Sequence, residues 1–117
     1  MSKIVKIISK KVITQNLYGV SHIKLNDYVN NLSETAKNQP GFIKSNSYWE
    51  FEINHTGANC NSIETLSISE WKSIKDWDNW HTSKERLNIY NNYKDLDRTE
   101  KFSILKKRTL IDNVFLL

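Results

Sequence analysis

The stretch EWKSIKDWDNWHTSKERLNIY, Glu70–Tyr90, crowds Trp71, Trp77 and Trp80 together and sets His81 beside the last of them. An indole N–H donates one hydrogen bond and its ring stacks on flat molecules. An imidazole takes up and releases a proton near neutral pH. Together these side chains can wall a site for an aromatic ligand and supply it with a base. The same residues can equally serve as plain core. Trp71 at a strand–helix junction and Trp77 on a helical stripe with Ile74 read as core, Trp80 stands between the two readings, and His81 at a helix end is also the position of an ordinary surface group. His22 and His55 fall in polar segments expected to be loops and have no neighbours at metal-ligand spacing. Cys60, expected in a loop, has no nearby base to activate its thiol, and the sequence contains no CxxC or Cys/His cluster.

With 117 residues, 38% of them hydrophobic, the chain suits one core, and a single domain over 1–117 is expected. The net charge is +4, but the lysines are interspersed with 13 acids and form no long basic block, which argues against nucleic acid as a partner. A single cysteine, no apolar run near the roughly 20 residues that span a bilayer, and no signal-like start predict a cytoplasmic protein with no membrane role.

Six elements are needed to position the aromatic stretch. Ile4–Ile13, IVKIISKKVI, is β-branched and apolar on both faces at its start, which predicts a first strand. A polar loop over 15–24 follows. Leu25, Tyr28, Val29, Leu32 and Ala36 then repeat at helical spacing, and NQPG ends that helix. Phe42–Ile53 alternates apolar with polar residues, predicting a second strand; NHTGANCN reads as a loop, and SIETLSISEW, 62–71, as the third strand of a hairpin. Ser73 with Asp76 resembles a capping box that opens a helix, and Thr82 with Glu85 suggests a second helical segment carrying Leu87, Ile89, Tyr90 and Tyr93. KFSILKKRTLI, 101–111, completes a β-α-β-β-α-β order, the ferredoxin-like α+β arrangement with an antiparallel sheet.

QPGF at 39–42, the strand–loop–strand, SEW at 69–71, KSIKDWDNW and SKER at 83–86 together resemble the antibiotic biosynthesis monooxygenase domain family over nearly the whole chain. That resemblance implies a homodimer of ferredoxin-like subunits whose sheets face each other as a dimeric α/β barrel, with a pocket in each subunit between sheet and helices. An open sheet with apolar residues on both faces needs a cover for the second one, which agrees.

The fold carries several chemistries. Haem-degrading members use a strand Asn, a helical Trp and a His ten residues on. Trp80 matches the Trp, but the offset lands on Tyr90 and the first strand offers no Asn, which argues against haem. Cofactor-independent members, which need an apolar cavity, a group for the developing oxyanion and a base, fit better. The resemblance therefore implies a monooxygenase, with no metal or cofactor, acting on an aromatic or quinol-like molecule. Its catalytic candidates are His81 and Trp80, and its substrate-binding candidates are Trp49, Tyr48 and Tyr90. The alternative is a non-catalytic dimer of the same fold that binds a small apolar ligand or a protein.

Overall fold

A computed structural model describes residues 4–13, 20–54 and 57–107. The elements are β1 (Val5–Ile13), α1 (Val20–Ala36), β2 (Phe42–Asn54), β3 (Gly57–Trp71), α2 (Ile74–His81), α3 (Lys84–Asn92) and β4 (Thr99–Leu105). The four strands form one antiparallel sheet in the order β2-β3-β1-β4, the expected ferredoxin-like topology.

Register decides which face each side chain takes. Ile7, Ser9 and Lys11 of β1 lie level with Ser69, Ser67 and Thr65 of β3, and this odd-numbered set faces the helices. The core on that face has two parts. Ile13, Leu25, Tyr28, Val29 and Leu96 pack at one end, and Ile7, Ala36, Trp71 and Trp80 at the other. Trp71, 1% exposed, is the largest wholly buried side chain among the described residues; Phe42 meets its ring edge-on at 5.3 Å, and its indole N–H donates to Ser69 Oγ at 3.0 Å. Burying that N–H without an acceptor would cost about 1–3 kcal/mol, so Ser69 makes the placement possible.

Gly41 explains the QPGF turn. It has φ +83°, the left-handed region in which a side chain is strained, and a Cβ there would run into the side chain of Asp76. Asp76 is the first-turn acid of α2. Its N–H donates to Ser73 Oγ at 3.1 Å and its Oδ2 accepts from the same hydroxyl at 2.9 Å, while Gly41 O receives Lys72 N–H at 2.8 Å. The turn after α1 is thereby tied to the start of α2.

Several boundaries differ from the sequence expectation. α1 begins at Val20, inside the expected loop, because His22, Ile23 and Lys24 leave no inward stripe to read. β2 and β3 run on through most of NHTGANCN, pairing Asn54 with Gly57, and Cys60 lies on β3; His55 falls outside the described residues. Backbone hydrogen bonds hold that part of the hairpin whatever its polar sequence. The cap of the second helical segment is Ser83, whose Oγ accepts Arg86 N–H at 3.1 Å; Thr82 instead closes α2, its hydroxyl donating to Asp78 O at 2.9 Å. β4 stops at Leu105.

On the helix-free face, Ile8, Tyr48, Leu66, Ile68 and Leu105 accompany two ion-pair groups, Lys10 with Glu50 (2.5 Å) and Glu64 (3.7 Å), and Lys44 with Glu70 (3.2 Å). Trp49 does not lie there. It pairs with Thr65 and takes the helix side, where His22 of α1 meets its ring at 4.5 Å. Among the described residues no helix is long and apolar enough to cross a membrane.

Candidate functional site

A cavity of about 60 Å³ opens between the sheet and the helices. Its floor is cut into the sheet by small side chains: Ser9 of β1, Ser67 and Ser69 of β3, and Ser45 of β2 occupy adjacent helix-facing positions. A large residue at any of them would fill the space. Leu32, Ser33 and Ala36 of α1 form the roof, Trp71 and Phe42 close one end, and Trp77, Trp80 and His81 of α2 form a wall with Phe102 of β4.

Helical spacing brings Trp77 and His81 together on one side of α2. Their rings stack at 4.7 Å with 17° between planes, and Phe102 presents an edge contact to the imidazole at 4.6 Å. Both members of the stacked pair are half-buried, whereas Trp80 is 7% exposed and belongs to the core as well as the cavity. Burial first, and then the guanidinium of Arg86, hold the His81 pKa below its ordinary value. Both effects favour the uncharged imidazole, the form that can act as a base.

The other end of the cavity is cationic. Lys11, whose side chain is 5% exposed, donates from Nζ to Ser9 Oγ at 2.6 Å and stands 3.8 Å from Glu100 Oε1. Arg86 reaches the same oxygen at 3.8 Å, and its other amino group donates to His81 O at 3.1 Å. Arg98 donates to Glu100 Oε2 at 2.8 Å, and Tyr28 O–H donates to that oxygen at 3.0 Å. Three cations thus share one carboxylate. Burial, set against attraction to Glu100 and reinforced by Arg86 and Arg98, lowers the Lys11 pKa to about 8. Burial and the Glu100 charge push Tyr28 up to about 12.

The five sequence candidates do not share one site. Trp80 and His81 line the cavity just described. Trp49 borders a separate hollow of about 180 Å³ between α1 and β2, with Asn26, Asn30, Ser47, Thr65 and Val29; Tyr48 also lies along it, although its register directs its side chain to the helix-free face. Tyr90 of α3 is exposed, with the Arg98 guanidinium over its ring at 4.7 Å, and it does not border the cavity. The residues that sequence reasoning misses are Trp77, which its helical stripe assigns to core alone, and Lys11, Arg86 and the serines. The alternating serines at 45, 47, 67 and 69 are the available signal: small polar residues on the inward face of paired strands make room beneath a helix. Among the described residues, no group of three or more His, Cys, Asp or Glu side chains is arranged to hold a metal ion.

No protein-family model matches the chain, and no curated protein matches it either. Solved structures do. The chain is similar to SnoaB from Streptomyces nogalater, a cofactor-independent oxygenase, with a TM-score of 0.63 at 12% identity over 94% of this chain and 98% of that one. A point mutant of the same oxygenase gives 0.65 at the same identity. A structure described as an antibiotic biosynthesis monooxygenase gives 0.63 at 11% identity over 90% and 99%. Hydroxynitrile lyase from Passiflora edulis gives 0.56 at 11% identity over 88% and 96%. At these identities the likeness establishes the fold, which in these proteins serves both an oxygenase and a lyase.

Proposed function

We propose that this protein is a small oxygenase that uses no metal or organic cofactor and acts on an aromatic, quinol-like molecule. The observation that carries the reading is the imidazole of His81, held between Trp77 and Phe102 on the wall of a cavity with a cationic end, where burial favours its uncharged form. The likeness of the fold to SnoaB supports it. In this reading a flat substrate stacks on the indole wall, and His81 removes a proton from an activated C–H or phenolic O–H. The positive field of Lys11 and Arg86 favours the resulting anion. The carbanion gives its electrons to O₂, a C–O bond forms, and the hydroperoxide, once protonated, loses water as its O–O bond breaks. A CH₂ group and O₂ become C=O and H₂O, with the substrate as the only reductant.

The cavity volume sets a condition. About 60 Å³ is below the ~150 Å³ that accommodates benzene, so an aromatic substrate is admitted only when the half-buried Trp77–His81 pair moves. This small volume also favours the second reading, a non-catalytic dimer whose own aromatics fill the space. Oxygen-electrode measurements with an anthrone and a quinol, with chelator present, separate the two. Substrate-dependent uptake above the spontaneous rate supports the oxygenase; none, with a folded protein, supports the second reading.

A further inference from the structure

We propose that the cavity, once the Trp77–His81 pair has moved to admit a ring, selects an aromatic carboxylate, whose ring lies along Trp77 and Phe102 and whose charge is received by Lys11 Nζ and the Arg86 guanidinium. The proposal deepens the oxygenase reading by naming a substrate class for the same site, but the binding it describes does not depend on turnover.

The charge distribution carries the inference. Lys11, Arg86 and Arg98 gather around the single carboxylate of Glu100, with side chains 5%, 11%, 4% and 10% exposed. Buried cations in excess of their anions are costly, because desolvation is not repaid by pairing. The three are not equivalent. Arg98 does not border the cavity: its Nε holds Glu100, one amino group donates to Tyr93 O and Leu96 O at 2.7 and 2.9 Å, the other is buried without a hydrogen-bond partner, and its plane covers Tyr28 at 4.2 Å. Lys11 and Arg86 instead border the cavity, and both are 3.8 Å from Glu100 Oε1, which accepts no hydrogen bond. Their remaining N–H groups are the donors a carboxylate requires, and a guanidinium beside an ammonium offers both a fork and a point charge.

The surroundings suit an aromatic body on that carboxylate. Lys11 and Arg86 stand 5.9 and 5.6 Å from the centre of the Phe102 ring, so the charged end and the aromatic wall are contiguous. The groups facing Lys11 are Glu100 and Phe102 of β4, Tyr28 of α1, Arg86 of α3, Arg98 just before β4 and Ser9 on its own strand. Only Glu100 among them is an anion. With the Lys11 pKa at about 8, the ammonium is mostly protonated at pH 7 and is lost above pH 8 unless a bound anion retains it.

Calorimetric titration of the native protein with 2-naphthoate and its neutral isostere 2-naphthamide tests the proposal. The expected result is at least a tenfold preference for the acid at pH 7, declining between pH 8 and 10 while amide binding stays level. Lys11→Met and Arg86→Gln should each reduce acid binding and leave amide binding near the native value, with thermal melting showing both variants folded. Equal affinity for the two compounds, or no binding of either to the native protein, overturns the proposal without recourse to the variants. Absence of oxygen uptake with acid-selective binding intact would reject the oxygenase reading and leave this one standing.

Discussion

His81 stacks on Trp77 with ring centroids 4.7 Å apart, four residues further along α2. The stacking fixes the imidazole beside the cavity, and burial makes its cationic form unfavourable. A base with a lowered pKa is already neutral at lower pH. The pH profile of kcat/KM should therefore rise through a pKa below 6.5 and be flat at neutral pH. The limb should disappear in His81→Gln.

Lys11 predicts a pH-dependent stability. Its pKa is about 8 in the folded chain against 10.5 free, so between these values the unfolded chain binds more protons and stability rises with pH. A shift of this size corresponds to about 3 kcal/mol at most. Tyr28, raised from 10 to about 12, acts in the opposite sense: the folded chain keeps a proton that the unfolded chain loses, so stability falls above pH 10. Urea denaturation between pH 7 and 11 should show a maximum near pH 10. Lys11→Met should remove the rising limb and stabilise the protein at pH 7 by about 1–3 kcal/mol, because it removes a buried cation and leaves Glu100 with two others.

Trp80 is core and cavity wall at once. Trp80→Ala should cost about 3–5 kcal/mol of stability, read from chemical denaturation, in addition to any loss of ligand binding. Trp77→Ala removes a half-buried side chain at the cavity wall and should cost far less stability while weakening aromatic binding at least as much.

Gly41→Ala should destabilise the fold by about 2 kcal/mol or more, since it combines a positive φ with a collision against Asp76. The displaced acid is the capping partner of Ser73, so α2 and with it His81 should shift, and aromatic binding should weaken although Gly41 does not border the cavity. Melting and naphthoate titration of this one variant check both effects.

The helix-free face predicts association. Ile8, Leu66 and Ile68 lie partly exposed across its middle strands beside Tyr48, 52% exposed, and none of the described helices covers them. A homodimer that packs these faces together is expected, and sedimentation should show it. Leu66→Glu should shift the protein to monomer while preserving its helical circular-dichroism signal. A native protein that sediments as a monomer at micromolar concentration contradicts this expectation.

The strand order and the two capped helices are legible in the sequence because their signals are local: Pro40–Gly41, Ser73–Asp76, and alternation along 42–53. Burial of the helix-facing charges is not. The apolar residues of β1 fall on both faces, Ile7 and Ile13 on one and Ile8 and Val12 on the other, so nothing in IVKIISKKVI says that Lys11 points inward and Lys10 outward. Registers with β3 and β4 decide it, and they place Lys10 level with Lys101 and Lys11 level with Glu100. Lys106 and Lys107 lie past the end of β4 and face neither Lys10 nor Lys11 across the ladder. On the open face Lys10 is paired with acids, which accords with the scattered charge of the sequence. Trp49 and Trp80 read in the sequence as parts of one aromatic wall, but they border different hollows on the two sides of Val29.

The oxygenase reading is tested most directly by oxygen consumption with an anthrone, in chelator, for the native protein and for His81→Ala side by side. One O₂ consumed for each quinone formed, with the rate reduced about 100-fold or more in the variant, is the predicted result. Native protein no faster than buffer, or a variant as fast as the native protein, would contradict it.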